Sequence, residues 1–239
     1  MEAMTQDEAR RQAHYEKMTQ TPVPKLVTTL AIPTIISMMV SAIYNMADTF
    51  FFFFFGTSAS GAVGVMFSAM AMIQAIGFTL GMGSGNYISR SLGDRNGGEA
   101  EKTAATAFFT ALIIGAQISV FGLMCLRPLV FLLGATETIA PYAMDYGKYI
   151  LIAAPFMMSS FVMNNILRAQ GNAMYSMIGI TTGGVLNMIL DPILIFGFDM
   201  GIAGAAIATM MSQMISFGIL FYQCNFREGS IRMRLSKFT

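Results

Sequence analysis

Charge is what this sequence has least of: only 11% of its 239 residues are Asp, Glu, Lys or Arg, against about 25% in an ordinary soluble domain. With 55% hydrophobic residues and a mean hydropathy of +0.61, that scarcity argues against a water-solvated globule and for a chain dissolved in lipid. The formal net charge is +1. No basic cluster of the kind that tracks a phosphate backbone stands out, so nucleic acid is not an expected partner. Histidine is nearly missing, and the one residue, His14, sits in a polar N-terminal tail. No Ser, Cys or Asp has a basic partner at a spacing that suggests a nucleophile or a metal cage, so the residues do not favour an enzyme. The N-terminus also lacks a basic and then apolar run ending in a small-residue cleavage site, and no removable signal peptide is expected.

What the chain does have is long apolar runs. A helix needs roughly 20 apolar residues to cross the hydrocarbon core of a bilayer, and six stretches qualify: 26–55, 61–89, 103–126, 149–167, 175–196 and 202–224. The expected organisation is an all-α polytopic membrane protein, with a cytoplasmic tail at 1–22, a six-helix transmembrane lobe at 23–226 and a cytoplasmic connector or truncated end at 227–239. Of the fourteen Lys and Arg, all but Arg127 and Lys148 fall in the tail, the connections after the second and fourth spans, or the C-terminal segment. The positive-inside rule therefore places both termini in the cytosol and the chain in the plasma (inner) membrane. Cys125 falls near the outer end of the third span and Cys224 near the inner end of the sixth, too far apart for an intramolecular disulfide.

Glycines and methionines carry further information. In "GFTLGMGSG", Gly77, Gly81 and Gly85 share one helix face, and small faces of this kind let membrane helices approach closely. The run lacks the G-x-G-x-x-G spacing and follows no strand, so it is not read as a nucleotide loop. Twenty-three methionines suit adaptable packing, and Met-rich surfaces also suit the binding of varied apolar molecules.

Eleven of the thirteen Asp and Glu map to the tail, the connections or the C-terminal segment, which leaves Asp48 and Asp191 inside spans. A carboxylate near the centre of a membrane helix costs about 2.5–3.5 kcal/mol on the insertion scale, so its default interpretation is functional. Asp48 lies seven residues below Phe55, Asp191 five below Phe196, and Thr209 seven along from Ile202; three helices thus bring polar groups to a similar depth in the outer half. Asn187 and Asp191 are an i, i+4 pair, as are Tyr44 and Asp48. Pro192 cannot donate to the carbonyl of Met188, which leaves a backbone acceptor nearby. Two carboxylates, an amide oxygen and a hydroxyl make a hard-oxygen site suited to Na+ or a shared proton, and the two carboxylates are expected to titrate as a coupled pair. Each polar residue on its own also fits a plain interhelical hydrogen bond. The phenylalanines at 50–55 read as a lipid-facing and packing surface that closes the outer end above Asp48, or as a gate against water.

At these residues the sequence resembles the multidrug and toxic compound extrusion (MATE) transporters, over most of the chain from about Pro22 to Ser230. The resemblance rests on "IPTIISMMVSAIYNMADTFF", "ISRSLGDRNGGEAEK", "NNILRAQGNAM" and "GGVLNMILDPILIFGFDMGIAGAAIAT". It implies a cation site at Asp48, Asn187, Asp191 and Thr209, a lining residue at Tyr44 and a bend of the first helix at Pro33. Two features depart from the family pattern: a glycine and often a basic residue are usual where this chain continues with phenylalanine, and the family has twelve helices in two lobes where this chain supplies six. The implied function is a cation-coupled (Na+ or H+) antiporter exporting drugs or other small organic molecules. In that mechanism the cation enters from outside, neutralises the aspartates and biases bent and straight forms of the first helix. Its expected partners are the small-molecule substrate, the lipid bilayer and a second six-helix lobe, either a missing half or another copy. The alternatives are a non-transporting membrane fragment or assembly partner, and a lipid-linked precursor flippase of related fold, which would need a cationic cavity.

Overall fold

The computed structural model describes residues 12, 16, 18, 20–52, 56–226, 231, 233 and 237. Most of the N-terminal tail with His14, and the phenylalanines at 53–55, lie outside the described residues. Among the described residues the regular structure is helical throughout: α1 (Val23–Phe52), α2 (Thr57–Gly93), α3 (Gly97–Met124), a short α4 (Leu126–Leu132), α5 (Ala140–Ala169), α6 (Ala173–Pro192) running on into a π turn (Ile193–Gly197), and α7 (Gly201–Asn225). Six of these helices are long and apolar enough to cross a membrane.

Local chemistry sets several of the boundaries. Asn96 caps α3 by accepting the amide of Glu99 at 3.3 Å, an Asn-x-x-Glu arrangement that satisfies one of the orphan donors of the first turn. Between α5 and α6 the chain turns at Gly171, whose φ of 78° suits glycine; Asn172 and Gly171 donate back to the carbonyls of Leu167 and Arg168 at 2.8 and 2.9 Å, the crossed bonds of a glycine C-terminal cap. Cys125 and Cys224 are both free, the first exposed and the second buried.

Two expected boundaries are corrected. The fourth span does not begin at 149 but at Ala140, two and a half turns earlier. Asp145 and Lys148, which make that stretch look like a loop, form an exposed i, i+3 ion pair at 2.9 Å, while Ala143, Tyr146, Gly147 and Ile150 are buried on the same helix. The third span ends at Met124, and Leu126 opens the separate short helix α4. The connection between α2 and α3 is also shorter than it reads, because helix resumes after Asp94, Arg95 and Asn96.

The lobe is organised around α5. In its most apolar stretch 72% of residues are buried, against 11% for α1, so α5 is the hub and α1 the outermost element. α2, α3 and α7 pack on α5; α6 lies against α7 and carries α1, which barely touches α2. Backbone contact at missing side chains makes this density possible. A Cβ at Gly81 would come within 3.1 Å of the carbonyl oxygen of Phe161, and one at Gly115 within 2.5 Å of Pro155 Cα. Gly77, Gly81 and Gly85 are all buried on the face turned to α5, as their spacing leads one to expect. Of the methionines, Met66, Met157, Met158 and Met163 fill the core, while Met38, Met39 and Met46 stand exposed on α1.

Gly115→Ala is expected to destabilise the lobe by about 1–3 kcal/mol, since the methyl would meet backbone that has no rotamer to yield. Gly64→Ala has open space around it and is expected to be neutral or to stabilise by up to about 1 kcal/mol. Thermal unfolding followed by circular dichroism in detergent compares the two; equal midpoints would contradict this account of the α3–α5 contact.

Candidate cation site

The site is assembled on the seam between α1 and α6. Gly184 makes the seam: a Cβ there would sit 3.2 Å from the Tyr44 ring and 3.4 Å from Val40 Cγ1, so its absence lets α1 lie directly on α6. One turn beyond Tyr44, Asp48 lies beside Asp191, which is two turns beyond Gly184.

Asn187 ties this pair to α7. Its Nδ2 donates to Asp191 Oδ1 at 3.2 Å and to Thr209 Oγ1 at 3.4 Å. Asn187, Asp191 and Thr209 are only 3%, 1% and 5% exposed, which removes water as an alternative partner. Pro192, with no N–H to give Met188, is followed at once by the π turn, in which Phe198 donates to the carbonyl of Ile193 at 3.0 Å. Such wide turns cluster at functional positions in helices. Phe51, three residues beyond Asp48, and Phe196, five beyond Asp191, meet edge to face with ring centroids 6.2 Å apart.

The structure therefore brings together Asp48, Asn187, Asp191 and Thr209, with Tyr44 at their edge. Pro33 is not among them. It lies fifteen residues before Asp48, about 22 Å along the helix axis, and α1 continues through it without a break. One residue was not legible from the sequence: Tyr146 of α5, 2% exposed, contacts Thr209 and neighbours both aspartates and Tyr44. Its hydroxyl also donates to Met70 Sδ at 3.8 Å. The charges of Asp145 and Lys148 beside it hide it in an apparent loop.

Three acceptors in this cluster are buried without a hydrogen-bond partner: Asp48 Oδ1, Asp191 Oδ2 and Asn187 Oδ1. Buried polar atoms are ordinarily satisfied, and an orphaned carboxylate oxygen in an apolar medium is costly. Three on one cluster form an oxygen set that an alkali cation, or a proton bridging the carboxylates, could satisfy. Among the described residues no three His, Cys, Asp or Glu are grouped to hold a metal ion. A donor set made only of oxygens suits hard cations and not thiolate- or imidazole-seeking ones.

Comparison with known proteins identifies the family. The MatE family model matches residues 33–193. Over 227 residues the chain is 30% identical to the multidrug export protein MepA of Staphylococcus aureus, covering 94% of this chain and 50% of that protein. Over 205 residues it is 32% identical to an FAD transporter of Shewanella oneidensis, covering 84% and 45% respectively. Among solved structures, an outward-facing multidrug resistance MATE family transporter of the MOP superfamily superposes with a TM-score of 0.86 at 28% identity, covering 100% of this chain and 51% of that one. The chain spans about half the length of the curated relatives it matches. Six apolar helices in this arrangement make it a multi-pass membrane protein. With the family match over most of its length, the chain belongs to the MatE family, the multidrug and toxic compound extrusion transporters.

Proposed function

We propose that this chain is the N-terminal lobe of a cation-coupled antiporter that exports small organic molecules, with Na+ or H+ bound at Asp48, Asn187, Asp191 and Thr209. The observation that carries the reading is the cluster of three unpartnered buried oxygens on two facing carboxylates and an amide. Without a cation, two like charges oppose each other across the α1–α6 seam; one bound Na+ or H+ lowers the charge from −2 to −1 and relieves the repulsion that holds the seam apart. Because α1 is attached to the lobe chiefly through that seam, its position is the mechanical output of cation binding. Tyr44 and Tyr146 line the cluster and exclude water from it, while Asn187 and Thr209 orient Asp191.

The exposed Met38, Met39 and Met46 of α1 form a deformable apolar wall that suits chemically varied ligands. Of the two relatives, one is a multidrug exporter and the other an FAD transporter, and the substrate is accordingly given as a small organic molecule. A single lobe offers one wall of a pathway. The half-length match favours a second six-helix lobe as the functional partner, in the same orientation and with both termini of this chain cytoplasmic, related by an axis along the membrane normal as parallel transporter repeats are.

Asp48→Asn and Asp191→Asn, each nearly isosteric with the native side chain, are expected to lower cation-dependent export at least tenfold while the amount of protein in the membrane stays unchanged. Drug accumulation in cells expressing both lobes reads the effect, and full export by either variant would overturn the coupling role. The ion itself is identified by labelling. Sodium at fixed pH is expected to slow carbodiimide modification of Asp48 if Na+ is the ligand, whereas dependence on pH alone identifies the proton; indifference to both rejects a cation site. Purified in detergent, the chain is expected to run as a single lobe and to support efflux from proteoliposomes only when a separately expressed second lobe is added. A dimer active by itself would show that two copies suffice.

A further inference from the structure

Beyond α7 the chain returns to the end of the lobe that the charge distribution assigns to the cytosol. Ile231 and Met233, neither of them helical, are each 6% exposed and belong to the apolar cluster that also holds Ile88 of α2, Ala104 of α3, Leu167 of α5 and Cys224 of α7. Their amides are held as well. Ile231 N donates to Gln170 Oε1 at 3.5 Å and Met233 N to Asn225 Oδ1 at 2.9 Å. Gln170 is the C-cap of α5, and Asn225 is the last residue of α7. Farther on, Lys237 Nζ pairs with Glu101 near the start of α3.

Three helices that begin or end here are thus tied at one place. Deeper in the lobe, α3 and α7 meet through aromatic rings, the centroid of Phe108 lying 6.2 Å from that of Phe217 and 5.9 Å from that of Phe221. Phe108 is seven residues beyond Glu101, about 10 Å along α3, so the returning residues extend that junction to the helix ends. Their hold is slight beside that of the helices. It rests mainly on two apolar side chains, two amides and an ion pair that is partly exposed, and segments attached by few buried contacts open at lower free energy than the core they cover. A natural reporter lies against them: Cys224, fully buried, directly precedes Asn225 in the chain and has its Sγ 4.0 Å from the Met163 carbonyl oxygen.

We propose that Ile231, Met233 and Lys237 are the fastening points of a latch that binds the ends of α3, α5 and α7 into one body and opens as a unit while the helices stay folded, uncovering Cys224. Ile231 and Met233 are its apolar pegs, and the Lys237–Glu101 pair is its catch. All three points follow α7 in the chain, so any load that reaches the lobe through the C-terminal segment meets the latch before it meets the helix. Shut, the latch stiffens the hub and two of its neighbours; open, it frees the last turn of α7. None of these residues belongs to the cation cluster, and the latch stands or falls apart from the coupling reading.

The test reads both thiols at once. The full chain, purified in detergent, is pulsed with N-ethylmaleimide, and modification of Cys224 and of the exposed Cys125 is followed by mass spectrometry in the same sample. A covered thiol reacts in proportion to the population of the open form, so native Cys224 is expected to react at least tenfold more slowly than Cys125. Ile231→Glu together with Met233→Glu unseats both pegs and is expected to raise the Cys224 rate at least tenfold while the Cys125 rate stays unchanged. Glu101→Lys sets two cations against each other and is expected to raise the Cys224 rate about threefold. Adding Lys237→Glu restores opposite charges and the native rate, which keeps the test decisive if the variant without pegs fails to accumulate. Hydrogen exchange locates the opening: it is expected to quicken at the latched ends of α3, α5 and α7 and to stay unchanged in the half of α6 that carries Asp191. The latch is overturned by a native Cys224 as reactive as Cys125, by a Cys224 that stays slow without the pegs, by a swapped pair as fast as Glu101→Lys alone, or by exchange that rises through the whole lobe.

Discussion

Two carboxylates meeting across the seam between α1 and α6 are the interaction on which the rest of the lobe depends. Asp48 lies beside Asp191, which is buried together with Tyr146, Asn187 and Thr209. Two ionised carboxylates at such a point repel each other, and a proton or cation shared between them would lower that repulsion. The same seam carries most of the packing of α1 on the lobe, including Tyr44 and Val40 over Gly184. On the proposed function, the charge at this one point modulates how firmly α1 is held against α6. A better anchored α1, with a second interface on α2, would not be sensitive to a single bound ion.

That sensitivity needs a rigid reference, and α5 supplies it. Gly77, Gly81 and Gly115 let two neighbouring helices touch the α5 backbone itself, and interiors packed to this density transmit strain and do not absorb it. The same device on α6, with Gly179 and Gly183 turned to α7 and Gly184 turned to α1, makes α6 the bridge between the fixed and the loosely held parts. Glycine thus has opposite consequences at neighbouring positions: against α7 it produces an interlocked seam, and against α1 it leaves a smooth bed on which a tyrosine ring rests.

Much of this was legible in the sequence because a bilayer makes polar residues conspicuous. Asp48 and Asp191 stand out as the two acids within apolar runs, and the i, i+4 spacing of Asn187 and Asp191 places them on one face. The structure brings these residues together and adds the link to Thr209. Tyr146 was not legible, because the local charge of Asp145 and Lys148 mimics a connection when the i, i+3 pairing that neutralises them is not visible. The break at Cys125 and the short helix after it escaped notice for a different reason: residues 103–132 carry no proline until Pro128 and remain largely apolar, and hydropathy does not register a change of direction. Contacts across the α5–α6 turn, such as those Arg168 and Asn164 each make with Ser176, are beyond periodicity altogether.

The two free thiols have a practical consequence. Cys224 is sealed in the core while Cys125 lies exposed between α3 and α4, at the opposite end of the bundle. A single reachable sulfur is already present, so a fluorophore or spin label attached by maleimide chemistry would report from one defined position without prior removal of native cysteines. With an impermeant reagent, the labelled fraction in sealed vesicles would count how many molecules face each way.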